Sequence, residues 1–249
     1  GADNGVNVDS ISYTTSFGDR STFFFGNGAT AGGSLYNVAC VYGAQTDTLS
    51  DCGVASANLD EEFGTAAGAS FDFGNGIAVS LGYEGQGMTS KGILTDAGSD
   101  AYGTQVAYTG DSYGVSVAWA NIENHDADNN LTGSTGSTQS TGLNAYYTPD
   151  LPNFPSISVG FESEDPSAST TEYGVFLGLS WDEAGPGSFN IGMSSVENYT
   201  DAQTENYQYE AAYSYPINDG MTITPAVFNK ETSRDVYTQG AMVKTSFEF

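Results

Sequence analysis

Side chains able to do chemistry are few, and they are not grouped for catalysis. The only histidine, His125, sits in the acidic stretch "IENHDADNN". A hydrolytic triad would need that imidazole on a rigid wall beside a serine; a solvated loop histidine is the simpler reading. The run "DADNN" faintly resembles a calcium loop. Its sixth position, however, is Leu131 rather than Gly, and its twelfth is Ser137 rather than Glu. We expect no enzyme activity, no cofactor and no metal centre, and at most weak Ca²⁺ binding by acidic loops.

Cys40 and Cys52 lie in one long polar connector. An even count, close spacing and acidic surroundings fit a disulfide in an oxidising compartment, with two free thiols as the alternative. Closing that loop would stabilise the fold by roughly 3 kcal/mol in the chain-entropy view.

The remaining ionisable groups are mostly carboxylates. There are 31 Asp and Glu against 5 Lys and Arg, a formal charge of −26. The bases are Arg20, Lys91, Lys230, Arg234 and Lys244. So few argue against a nucleic-acid partner, which needs a basic footprint. Strong acidity often marks disorder, but an aromatic content of 13% argues otherwise. Asp72, Glu84, Glu162, Glu172, Glu210 and Glu248, with Lys244 as the one base, fall on polar faces of alternating segments. Charged rings and pore diameter set selectivity in channels. These residues, Glu248 included, are therefore candidates to line a pore.

The elements that would position them are strands. In "FGTAAGASFDF" the odd residues Phe63, Thr65, Ala67, Ala69, Phe71 and Phe73 share one face. "GNG" then signals a tight hairpin. "IAVSLGYE", "YGTQVAY", "YGVSVAW", "SISVGFESE" and "TEYGVFLGLSW" alternate in the same way, and no segment reads as a helix. In "NYQYEAAYSYPINDGMTITPAVF" the four tyrosines Tyr207, Tyr209, Tyr213 and Tyr215 share a face, opposite Gln208, Glu210, Ala212 and Ser214. Pro225 falls on the same face as the tyrosines and lacks a ladder donor.

Two solvents are possible for the aromatic face, a protein core or lipid. Three features favour lipid. The opposite face is Gly, Ser, Ala, Thr and Asn with scattered acids, unlike the mixed-sign surface of a soluble sandwich. Aromatic residues gather at strand ends, at Tyr113, Trp119, Tyr173, Trp181, Tyr207, Tyr215 and Phe249, as in interfacial girdles. Strand lengths suit a tilted crossing of a bilayer, and closure removes the edges that lipid cannot tolerate. Tight turns alternate with longer loops, so the turns share one end. The expected fold is all-β: a transmembrane antiparallel β-barrel of about 14 strands, with 16 the alternative, short periplasmic turns and long extracellular loops. It forms a single domain, residues 1–249. Strand parity calls for either a further strand before Gly1 or a hidden one around "LYNVACVY". A barrel of this size needs a constriction, and residues 27–61, stiffened by the cysteines, are a better candidate for it than 123–139.

The stretch "AYSYPINDGMTITPAVF", with the closing "VKTSFEF", resembles the C-terminal end of cyanobacterial outer-membrane porins of the OprB-like, iron-uptake group. "DSISYTTSFGDRSTFFFGNG" resembles that family's early strand pair, and "VAYTGDSYGVSVAWA" a middle hairpin. The resemblance is spread over most of the chain. The S-layer-homology domain that often precedes such barrels is not in this sequence, and residues 27–61 are shorter than the family's usual stretch. The resemblance implies a homotrimer in the outer membrane of a Gram-negative-type, cyanobacterial cell. Its partners would be the lipid bilayer, small ions and solutes. The expected function is a water-filled channel for passive diffusion of inorganic ions and small hydrophilic solutes, cation-preferring because of its acids. The competing expectation is a non-conducting structural barrel, or a surface receptor or adhesin.

Overall fold

The computed structural model describes residues 8, 10–60, 64–85, 93–94, 98–123, 136–167, 169–195, 199–200, 205–233 and 236–248. His125, Lys91, Arg234 and Phe249, and most of the 123–139 connector, lie outside the described residues.

Among the described residues thirteen strands form one sheet in chain order, each antiparallel to the next. They are β1 Ile11–Phe17, β2 Ser21–Asn27, β3 Thr65–Gly74, β4 Ile77–Gly85, β5 Asp100–Thr109, β6 Tyr113–Glu123 and β7 Ser137–Tyr147. β8 Ser156–Pro166, β9 Glu172–Ala184, β10 Gly187–Ser195, β11 Tyr207–Asn218, β12 Met221–Ser233 and β13 Val236–Phe247 complete the meander. This is the expected barrel wall. Among the described residues β1 and β13 are not paired with each other. The "LYNVACVY" segment is not a fourteenth strand.

Turn chemistry explains the tight end. Asn75 and Gly76 both take positive φ (56° and 80°) between β3 and β4, the primed-turn geometry that matches strand twist. Asp72 caps this turn, its Oδ1 accepting from the Gly74 N–H at 2.6 Å.

Burial is inverted relative to a water-soluble sheet. On β6, Gly114, Ser116, Ala118, Ala120 and Ile122 are buried, whereas Tyr113, Val115 and Val117 are 55%, 41% and 50% exposed. Leu81, Val106, Leu143, Val159, Phe161, Leu177, Ile191 and Val227 are likewise exposed, and the strand register places them on the outer face. A belt of large apolar side chains facing out, over small residues facing in, is stable only against hydrocarbon.

Aromatic pairs bracket the belt. Near the short-turn end lie Phe71–Phe73 at 4.8 Å, Tyr108–Tyr113 at 5.3 Å and Trp181–Phe189 at 5.6 Å. Toward the long-loop end lie Tyr102–Trp119 at 5.9 Å and Phe161–Tyr173 at 6.0 Å. Tyr207, Tyr209, Tyr213 and Tyr215 alternate with buried Gln208, Glu210 and Ala212, as the sequence pattern requires.

Pro225 has a visible consequence. The β11–β12 pairs pass from Ala212↔Ala226 directly to Tyr215↔Ile223 in unbroken register. A ladder donor is missing there. On the inner side the Ser214 and Thr224 hydroxyls lie 3.0 Å apart and bridge that gap.

The inversion gives a test. Val117→Arg, at mid-strand on the outer face, is expected to destabilise the folded barrel in phospholipid vesicles by about 2–4 kcal/mol. Urea titration followed by loss of heat-modifiable gel mobility measures it; an unchanged midpoint would contradict the lipid-facing assignment.

Candidate functional site: the lumen and the segment folded into it

The buried face of small residues needs a cover, and the β2–β3 connector supplies it. This connector carries a five-residue helix, α1 Ala31–Leu35, and a 3-10 helix, Asp47–Gly53, neither of which the alternating pattern suggested. Thr30 caps α1, its Oγ1 accepting from Gly33 N–H. The helix packs on β2, β3 and β4, and the 3-10 helix on β8, β9 and β10. Leu49, Cys52, Val54, Ala57 and Leu59 are fully or almost fully buried. The connector is therefore folded inward against the wall. Cys40 and Cys52 form a disulfide with Cα atoms 6.1 Å apart.

An irregular segment inside a barrel must have its backbone donors satisfied. Three wall carboxylates do much of this. Glu84 on β4 accepts from the Ala31 N–H at 2.7 Å. Glu162 on β8 accepts from the Ala57 N–H at 2.7 Å. Glu210 on β11 accepts from the Gln45 N–H at 2.8 Å and the Tyr42 hydroxyl at 2.9 Å through one oxygen, and from the Thr46 hydroxyl at 2.8 Å through the other. Burial, then the neighbouring Glu210 carboxylate, raises the Tyr42 phenol, which keeps it protonated as a donor. Hydrogen bonds to charged groups contribute about 1.5–3 kcal/mol each.

Wall hydroxyls and amides fill in between. Ser116 accepts from the Ala39 N–H and Ser158 from the Val41 N–H, at 3.0 and 3.1 Å. Ser80 donates to the Leu35 carbonyl. Asn58, nearly fully buried, receives from Gln105 and donates to Asn144 and to the Val54 carbonyl. Gln208 donates to Thr46 at 2.6 Å. Segment 36–44 thus runs along the wall without joining the sheet, which is why its alternation resembles a strand's.

Wall glycines let the segment approach closely. A Cβ on Gly160 would stand 1.8 Å from the Cys52 carbonyl oxygen, and one on Gly142 would stand 2.2 Å from Val54 Cγ1. Tyr42 lies over Gly178 and Gly192 and meets Phe176 edge-on at 5.3 Å.

The expected pore-lining residues therefore divide. Glu84, Glu162 and Glu210 do face inward, but they are 0%, 3% and 2% exposed beneath the segment. Asp72 is exposed at the short-turn end, engaged with its own turn. Glu172 pairs across the ladder with Glu164 near the long-loop end. Lys244 is exposed on β13, opposite inward Thr224. Glu248, just past β13, is also exposed. The anchoring set of Ser80, Ser116, Ser158, Gln105, Asn144 and Gln208 was visible in sequence only as generic small polar lining.

The segment does not cover the whole wall. Its recorded hydrogen bonds and glycine contacts run from β3 to β11. Inward residues Ser12, Thr14 and Ser16 of β1, and Thr238, Met242, Lys244 and Ser246 of β13, are exposed, Ser16 lying next to half-buried Thr15. Among the described residues the segment leaves the inner faces of β1 and β13, the two ends of the sheet, uncovered.

Gly160→Val should unseat the disulfide-bearing turn while leaving the wall intact. Limited proteolysis of the folded protein is expected to cut within residues 28–64 of the variant and spare the parent. Equal resistance of the two would mean the close approach at Gly160 does not hold the segment.

No protein-family profile and no curated protein sequence matches the chain. Solved structures do. OprB of Pseudomonas putida superposes with a TM-score of 0.66 at 12% identity, over 96% of this chain and 72% of that one. A mutant of the Rh. blastica porin gives 0.59 at 15% identity, over 100% and 80%. An anion-selective porin from Comamonas acidovorans gives 0.60 at 11% identity, over 96% and 88%. The chain has the fold of the outer-membrane porins.

Proposed function

We propose that the protein is an outer-membrane porin, a non-catalytic, water-filled channel for passive diffusion of inorganic ions and small hydrophilic solutes. The observation that carries this reading is the inward-folded segment, which is anchored along β3–β11 and leaves β13 and β1 uncovered. It narrows the lumen without meeting every strand. Segment 28–64 is the constriction, and the aqueous path runs beside it.

The channel prefers cations. Support for this comes from the formal charge of −26 and from acids near the mouths, such as Asp72 and the Glu164–Glu172 pair. Acidic mouths raise the local cation concentration. The wall glutamates under the segment contribute as fasteners rather than as exposed charges. Like the porins whose fold it shares, the protein works in an outer membrane, as a homotrimer, and its sequence resemblance points to a cyanobacterial envelope.

Planar-bilayer recording tests the reading. Stepwise conductance with a cation-directed reversal potential in a KCl gradient is expected. Glu162→Ala with Glu210→Ala removes fasteners of the segment and should raise unit conductance severalfold. A silent bilayer from correctly folded protein would favour the structural-barrel or receptor reading. A large oligomer on unheated gels that collapses on boiling is expected for the trimer.

A further inference from the structure

We propose that Lys230 and Lys244, on the uncovered inner face of β12 and β13, moderate the cation preference set by the acidic mouths, forming two transient contacts for small oxyanions. This inference rests on the channel reading above.

The argument begins with which charges remain accessible. The segment takes Glu84, Glu162 and Glu210 out of the lumen as hydrogen-bond acceptors. On the wall it leaves open, the inward positions of β1 are Ser12, Thr14 and Ser16, set by their pairing to Gly26, inward Phe24 and Thr22. On β12 and β13 they include Thr224 with Lys244, Thr222 with Ser246, and Lys230 with Thr238. Lys230 also pairs with buried, inward-facing Gln208, which fixes its side of the sheet. Among the described inward residues of these strands the charged groups are Lys230 and Lys244, with Glu248 beyond the end of β13 at the short-turn rim.

Thr238, the partner of Lys230, lies six residues from Lys244 along β13, or roughly 20 Å at the strand rise. The ammonium groups therefore form two separate steps along the path. The inward pairs between them, Phe228 with Gly240 and Ala226 with Met242, form an apolar stretch that separates the two. A passing phosphate or carboxylate meets a cation at each step, whereas on these strands K⁺ meets no accessible carboxylate until the rim. The two lysines thus oppose the cation enrichment of the mouths.

The test compares reversal potentials in a KCl gradient for the wild-type protein, Lys230→Gln, Lys244→Gln, the double variant and the double Arg variant. A unit charge at about 6 Å in water changes the local concentration of each ion by about threefold, in opposite senses for K⁺ and Cl⁻. With the interaction roughly halved by screening at about 0.15 M salt, each Gln substitution should raise the K⁺/Cl⁻ permeability ratio by about threefold. The Arg variant should retain the wild-type ratio. Inorganic phosphate added to one side should reduce the K⁺ current of the wild type and not of the double Gln variant. Conducting Gln variants with an unchanged ratio and unchanged phosphate sensitivity would overturn the proposal while leaving the channel reading standing. Absence of conductance in the wild type would overturn both. If the double variant fails to assemble, the single variants carry the same comparison.

Discussion

The structure turns on where an inward-folded backbone finds its hydrogen-bond partners. A chain segment of irregular conformation, placed inside a β-barrel and pressed to its wall, cannot leave its N–H groups dry. Here the wall answers with carboxylates. Glu84, Glu162 and Glu210 sit on three well-separated strands and each takes at least one backbone donor of the segment. They fix the segment's beginning, end and middle. Everything else at the site follows from that placement: the glycines that admit close approach, the serines that take the intervening N–H groups, and the crescent of wall that stays open.

The same demand reverses the usual meaning of an acidic sequence. A carboxylate buried without a partner is costly, so the segment that buries these three must also donate to them. Removing the segment would expose three charges to the lumen, and removing a charge would leave backbone donors unmet. Wall and segment therefore stabilise each other, and the disulfide within the segment limits how far either can drift. The outer face obeys a different solvent. There, Leu81, Val106 and Val117 are exposed without compensation from protein, and the aromatic pairs mark the edges of the apolar zone.

Much of this was legible in the residues. Strand alternation gave the sheet, the turns, the outer tyrosine face of β11 and the inner position of Glu210, because period-two patterning survives any tertiary arrangement. The cysteine spacing suggested the disulfide, and the length of the 27–61 connector marked it as the segment to fold inward. The role of the glutamates was not legible. An inward Glu that lines water and one that receives a backbone N–H from a segment more than 50 residues away share the same local pattern. Helix α1 was hidden for a similar reason. "AGGSL" has no amphipathic period and is held by its Thr30 cap and by the wall glycines. "LYNVACVY" misled because an extended chain lying on a wall alternates as a paired strand does. The gap beside Pro225 could be located in the sequence, but its bridging by Ser214 and Thr224 needed the register.

The bonds from Tyr42, Gln45 and Thr46 to Glu210 span 164 to 168 residues, and this bears on how the chain reaches its fold. Hairpin pairing is local and can proceed strand by strand. The segment's last fastener is on β11, so it cannot be fully seated until nearly the whole meander exists. Contacts of such sequence separation slow folding. The disulfide closes a short loop and can form well before that moment, so that the segment docks as a covalently compacted unit. Docking against β11 then reports on the wall itself, since a barrel with a slipped register would place Glu210 out of reach. The inward-folded element thereby also serves as a late check that the surrounding wall has been built in register.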